Sequence, residues 1–243
     1  VTDRRLFGLF EAFRRGWSIE QVRELTAIVP WFLHGLEHIS HMEHRLVEAG
    51  ILSEDLGEDL LLQAKRLGFT DRAIADALLG HPTDTGHREK IGALERRIRG
   101  RRWQAGLHPR FRMVDSCAAE FVARTPYFYS TWEPGDAPAQ TRLDGPDPPV
   151  VVIGSGPIRI GQGIEFDCSS VHAVRAARDL GRTTVMINNN PETVSTDFDI
   201  SDRLYFEPLT IECMNEVLIH EGAGDLVVQF GGQTPLNLAR GLE

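Results

Sequence analysis

Val150-Val-Val-Ile-Gly-Ser-Gly-Pro-Ile-Arg-Ile-Gly-Gln-Gly-Ile-Glu-Phe-Asp167 is the stretch on which the fold turns. Its first four residues form a short, continuous apolar run, which suits a strand buried on both faces of a parallel sheet. A glycine-rich loop follows. From about Ile164 the pattern turns helical and runs to Leu180, with Gly181 as its stop. The alternation then repeats. Thr183-Thr-Val-Met-Ile-Asn188 reads as a second strand, Arg203-Leu-Tyr-Phe206 as a short third and Asp225-Leu-Val-Val-Gln-Phe230 as a fourth. Thr210 can cap a helix through His220 that Gly222 ends, and Thr234 before Pro235 is a cap residue with proline at the first helical position. This order predicts a doubly wound, Rossmann-like parallel sheet, with the loops of interest at the carboxyl ends of its strands.

Upstream the pattern is helical. Leu6, Phe7, Leu9, Phe10 and Phe13 share one broad stripe. Ser18 can cap a second helix, and Pro30 opens a third that Gly50 closes. Ser53 can cap a fourth, through Lys65 or Arg66. Thr70 starts a short fifth that stops at Gly80, and Asp84 or Thr85 a basic sixth running to Gly100. Tyr127-Phe-Tyr-Ser-Thr-Trp132 is aromatic and extended in character. Residues 133–149 are rich in proline and glycine with almost nothing apolar, the mark of a linker. The expected class is therefore α followed by α/β: a helical domain over 1–132, a linker over 133–148 and a Rossmann-like α/β domain over 149–243.

Composition narrows the function classes. The 243 residues are 42% hydrophobic and 25% charged, as in ordinary globular domains, and hold no apolar run long enough to cross a bilayer. The chain starts Val1-Thr-Asp-Arg-Arg, without the apolar core of a secretory signal and without Met, and it reads as a piece of a longer one. The formal net charge is −9. Residues 1–150 carry 20 basic and 22 acidic side chains, whereas residues 151–243 carry 6 and 13, the reverse of a nucleic-acid face. Cys117, Cys168 and Cys213 are odd in number and far apart, which points to a reducing cytoplasm.

The glycine loop opens like a dinucleotide fingerprint, but Arg159 stands where the third glycine belongs. Asn188-Asn-Asn190 replaces the acidic residue that would end the second strand and bind a ribose. No Gly-Lys-Ser/Thr follows, so it is not a Walker loop. Glu165 and Asp167 fall in the first turn of the next helix, where the dipole favours anionic side chains. Two further polar loops follow strands: Asn188 to Asp197, and Gln229-Phe-Gly-Gly-Gln-Thr-Pro235. Three such loops at one sheet edge suggest a shared concave surface.

Taken together, Gly154-x-Gly-Pro-x-Arg-Ile-Gly-Gln-Gly-Ile-Glu-Phe-Asp167, Asn189-Asn-Pro-Glu-Thr-Val-Ser-Thr-Asp197, Ser201-Asp-Arg-Leu-Tyr-Phe-Glu-Pro208 and Gln229-Phe-Gly-Gly-Gln-Thr-Pro235 closely resemble the large subunit of carbamoyl phosphate synthase. They are similar to the pre-ATP-grasp domain of its second synthetase half. Residues 1–132 resemble the helical oligomerisation domain before it, through Pro30-Trp-Phe-Leu, Val114-Asp-Ser-Cys-Ala-Ala-Glu-Phe and Tyr127 to Thr131. The resemblance implies an ATP-dependent ligase that makes carbamoyl phosphate from bicarbonate, glutamine-derived ammonia and two ATP, for arginine and pyrimidine synthesis. ATP with Mg²⁺ or Mn²⁺ would be held by an ATP-grasp domain outside this chain, leaving no cofactor, metal or catalytic residue here. The partners implied are the rest of the large subunit, a glutaminase small subunit and a second copy met through the helical domain. Gly161, Gln162, Gly163 and Glu165 would wall the carbamate tunnel, with Asn190, Gln229 and Gln233 as further polar lining. The alternative is a stand-alone nucleotide- or dinucleotide-binding protein that uses the glycine loop directly.

Two other features carry weaker functional readings. His34, His38 and His41 share a helical face, a spacing that suits Zn²⁺ or Ni²⁺, but without acidic or thiol ligands it reads as a solvated face opposite Leu36, Ile39 and Leu46. Residues 68–80 followed by Arg88, Lys90, Arg96, Arg97 and Arg99 resemble a helix-turn-helix. The balanced charge and the acidic Asp71 and Asp76 argue against DNA.

Overall fold

The computed structural model describes residues 3–50, 57–81, 86–118, 120–121, 125–134, 147–157 and 164–242. The chain divides into two compact units, Val1–Leu107 and His108–Glu243. The first is helical: α1 (Arg5–Arg14), α2 (Ile19–Thr26), α3 (Pro30–Ala49), α4 (Glu58–Arg66), α5 (Asp71–Leu78) and α6 (His87–Gln104).

The local chemistry of these helices is what the sequence predicts. Ser18 and Gln21 form a reciprocal capping box at the start of α2. Pro30 occupies the first turn of α3, and Gly50 leaves its end at φ +61°. Thr70 accepts the Ala73 amide at the head of α5. The expected caps Ser53, Asp84 and Thr85 lie outside the described residues. Two cores result. Leu9, Phe13, Val22 and Leu33 close α1–α3. Met42, Leu46, Leu61, Ile74, Leu78, Ile91 and Ile98 close α3–α6. On α3 the apolar stripe is Leu33, Met42 and Leu46, with Leu36 and Ile39 only half-buried.

Helix α6 runs past Gly100 to Gln104 because Arg102 anchors its last turn. Arg102 and Asp71 are both fully buried. The guanidinium donates to both Asp71 carboxylate oxygens at 3.1 Å and to the Leu107 carbonyl at 2.8 Å, while Lys65 Nζ meets Asp71 Oδ1 at 3.2 Å. A carboxylate shared by two cations ties α4, α5 and α6 together, and the fork geometry is what makes arginine fit there. Asp76 lies 2.7 Å from His81 Nδ1 and 2.8 Å from His87 Nε2. The two acids of the helix-turn-helix look-alike thus hold its own packing, and Arg99, 2.9 Å from Glu95, belongs to the same internal network.

The second unit is a six-stranded sheet among the described residues, built from β1 (Arg110–Met113), β2 (Tyr127–Thr131), β3 (Val150–Ile153), β4 (Thr184–Asn188), β5 (Arg203–Phe206) and β6 (Asp225–Val227). Its order is β1-β2-β5-β4-β3-β6, and every pair is parallel except β1 with β2. The helices are α7 (Glu165–Asp179), α8 (Ile211–Glu221) and α9 (Gln233–Leu242), with a 3₁₀ turn at Val194–Thr196. Alternate residues of the central strands point to opposite cores. Val150, Val152, Met186 and Leu204 meet Val171 and Val174 of α7, while Val151, Ile153, Val185, Ile187 and Tyr205 meet Met214 and Val217 of α8. This is why the strands read as unbroken apolar runs.

The border between the units departs from the expected one. A helical domain ending at 132 does not match the division, since β1 and β2 extend the sheet by two strands and Phe111 and Phe128 enter its core. Buried Glu207, just after β5, accepts the Ser130 backbone amide and, at 2.9 Å, the Ser130 hydroxyl, which fastens β2 to the sheet. Most of the expected linker, residues 135–146, lies outside the described residues. Arg203 donates to buried Glu221 at 2.8 Å, and the Tyr205 hydroxyl donates to the same carboxylate. Burial, then the Glu221 charge, pushes the Tyr205 phenol far up, so it stays a donor.

Candidate functional site at the carboxyl edge of the sheet

The chain winds from β3 through β4 to β5 on one side and then crosses to β6 on the other side of β3. That reversal is the topological switch point of an open parallel sheet, and the loops after β3, β4 and β6 meet there. They meet at backbone distance. A Cβ on Gly231 would stand 2.5 Å from the Ile153 carbonyl oxygen and 2.7 Å from that of Gly154. One on Gly154 would stand 2.6 Å from Asn188 Nδ2, and one on Gly232, at φ +74°, 3.1 Å from the Phe166 ring. The glycines are there for contact between loops.

The polar floor of this edge is Asn188. Its Oδ1 accepts the Gly156 amide at 3.0 Å and the Asn189 amide at 2.9 Å, and its Nδ2 donates to Ser195 Oγ at 3.0 Å. Ser195 N in turn donates to Asp167 Oδ2 at 3.1 Å. All three side chains are buried, and Asp167 Oδ1 has no hydrogen-bond partner among the described residues. At Gly156 the amide that a pyrophosphate would need is therefore already held by the protein itself, which removes one support of the dinucleotide reading.

The sequence-predicted residues fare unequally. Gly161, Gln162 and Gly163 lie outside the described residues. Glu165 is the exposed first residue of α7 and flanks them. Asn190 is half-buried, its Oδ1 accepting the Glu192 amide at 3.1 Å in a local turn. Strand β6 ends at Val227, short of the expected Phe230, so Gln229 lies exposed in the following loop. Helix α9 begins at Gln233 instead of after Thr234, and Gln233 is exposed with Nε2 2.7 Å from Asn237 Oδ1. The sequence marks Asp167 at a helix start and Asn188 at a strand end without giving either a site role, and it does not single out Ser195. Their signal was a polar pair ending a buried strand and a helix start, which shows polarity but no direction. Among the described residues no three His, Cys, Asp or Glu side chains converge to hold a metal ion, the histidines of α3 included.

A helical unit followed by a Rossmann-type parallel sheet, with three glycine-locked loops at the switch point, defines an α plus α/β protein. Comparison agrees in both parts. A model of the carbamoyl phosphate synthase preATP-grasp domain matches residues 147–243, and one of the carbamoyl-phosphate synthetase large chain oligomerisation domain matches residues 1–92. The carbamoyl phosphate synthase large chain of Thermomicrobium roseum is 49% identical over 247 residues, covering 99% of this chain and 21% of that protein. The arginine-specific large chain of Bacillus subtilis is 46% identical over 244 residues, covering 99% and 22%. That of Methanosarcina barkeri is 45% identical over 238 residues, covering 98% and 20%. The chain belongs to the carbamoyl phosphate synthase large-chain family and carries its oligomerisation and pre-ATP-grasp domains. It spans about a fifth of the length of the curated relatives it matches.

Proposed function

We propose that this chain serves a carbamoyl phosphate synthase as assembly domain and active-site wall. The whole enzyme would be an ATP-dependent ligase acting on bicarbonate, glutamine-derived ammonia and two ATP, for arginine and pyrimidine synthesis in the cytoplasm. Nucleotide and Mg²⁺ would be bound by an ATP-grasp domain beyond these residues. The helical unit would pair with a second copy, and the rest of the large subunit and a glutaminase subunit would complete the enzyme. Among the described residues no helix is long and apolar enough to cross a membrane.

The observation that carries this reading is the switch-point edge, where three loops are locked at glycines and Glu165, two residues after the Gly161-Gln162-Gly163 run in the sequence, opens α7. A wall of that kind gives carbamate a route out of water, which would otherwise destroy it. By the resemblance Gly163 belongs to that wall, where a missing side chain would leave room for passage. Gly163→Phe in the intact enzyme is expected to abolish carbamoyl phosphate output while the first half keeps its bicarbonate-dependent ATPase. Unchanged output in that variant would sink the tunnel role. Calorimetry of the 243-residue chain with Mg-ATP and with NAD separates the alternative. No heat is expected, and micromolar binding of either would make the glycine loop a nucleotide site.

A further inference from the structure

Asn188 does more at the switch point than end a strand. Its amide is oriented without ambiguity. Only the oxygen can accept from two backbone amides, at 3.0 and 2.9 Å, so the nitrogen must face Ser195 Oγ. Through the oxygen it binds the β3 loop at Gly156 to the β4 loop at Asn189. Through the nitrogen it reaches Ser195, whose backbone amide holds Asp167 at the head of α7. Ser195 also lies 3.3 Å from the Thr193 hydroxyl, which keeps the 3₁₀ turn in register. Asn188 and Ser195 have no exposed surface and Asp167 is 2% exposed, so water cannot replace any of these bonds cheaply. Gly154 is flat against the same amide, and any side chain there would collide with it.

We propose that Asn188 is a positioning residue for the proposed carbamate wall, acting with Ser195 and Asp167 to hold Gly156 after β3, the loop after β4 and the first turn of α7 as one piece. This rests on the tunnel reading above. The side chain touches no substrate. It fixes the backbone at Gly156 and at Asp167, which precede and follow residues 158–163 in the sequence, and a shift of about 1 Å in such a support can cost on the order of 10²-fold in function. An aspartate at this position keeps the shape but puts a charge beside Asp167. When protonated it regains a donor toward Ser195 and an acceptor toward Gly156.

The test uses the full-length large chain with its glutaminase subunit and reads the ratio of carbamoyl phosphate formed to ATP hydrolysed. Asn188→Leu is expected to lower that ratio roughly ten-fold or more by letting carbamate escape. Asn188→Asp is expected to lower it at neutral pH and to recover toward wild type, measured at the same pH, as acid neutralises the new carboxylate. Ser195→Ala should give an intermediate fall and serves if Asn188→Leu does not fold. A wild-type ratio in Ser195→Ala together with a pH-independent ratio in Asn188→Asp overturns the proposal. Gly163→Phe is run beside them. If it blocks output while the Asn188 and Ser195 variants do not alter the ratio, only the positioning role fails. If Gly163→Phe also leaves output intact, the tunnel reading fails with it.

Discussion

Burial pushes the Glu207 carboxyl above its usual range, against the pull of hydrogen bonds from Ser130 and Cys213. A carboxyl raised on folding takes up its proton more readily in the folded state. The stability it contributes is fully present below the unfolded value near 4.5 and is lost as pH rises through the higher folded value. Glu207→Gln removes the titration. The wild type is therefore expected to lose stability relative to that variant as pH is raised from about 4 to 7, read by amide exchange of β2 and β5 at each pH. A shift in the opposite direction would mean that the Ser130 bonds favour the charged form more than burial disfavours it. Residues of this sort are the least legible in sequence. Arg102 looks like one more surface cation of a basic helix, and Asn188 like one of three loop asparagines. Each is buried because partners in other elements, Asp71 for Arg102 and Ser195 with Gly156 for Asn188, satisfy it.

Elements were legible where local chemistry decides them. The apolar runs of β3 and β4 and the hydroxyl caps at Ser18, Thr70 and Thr210 need only neighbours a few residues away. Strand β1 was not legible, because Arg110-Phe-Arg-Met113 buries only its phenylalanine fully and pairs with a strand that itself joins the sheet at β5. The three loops read as one polar edge with a shared concave surface, but their contact at backbone distance is not legible, since glycine marks close approach without naming what approaches. Gly231 shows the consequence. An added methyl would meet two carbonyl oxygens and the Pro235 ring at 2.5–2.7 Å, with backbone on two sides. Gly231→Ala should therefore destabilise the sheet unit by about 1–3 kcal/mol through overpacking and spread β3 from β6. Gly181→Ala is the strain control, because nothing stands within 4 Å of its Cβ and only its φ of +75° resists. Urea denaturation of both variants checks this, and a Gly231→Ala loss no larger than experimental error would mean the loops separate freely.

At the scale of the whole molecule, each unit has its own closed cores and its own buried ionic tie. In the helical unit the tie is Asp71 with Arg102 and Lys65, and in the sheet unit Glu221 with Arg203 and Tyr205. Removing one member of such a group leaves the opposite charge buried alone, which costs about 3–5 kcal/mol, whereas domains are stable by only about 5–15 kcal/mol. Asp71→Asn keeps the volume and discards the charge. It is expected to bring the helical unit close to unfolding, so that amides of α5 and α6 exchange far faster. Amides of β3 and β4, whose bonds lie within the other unit's cores, should keep their protection. Amide exchange resolved by residue reads both units in one sample. Unchanged protection in α5 and α6 would mean that the cations of Lys65 and Arg102 find other partners. Equal loss in β3 and β4 would mean that the chain unfolds as a single body, and that the ionic tie of one unit supports the wall built on the other.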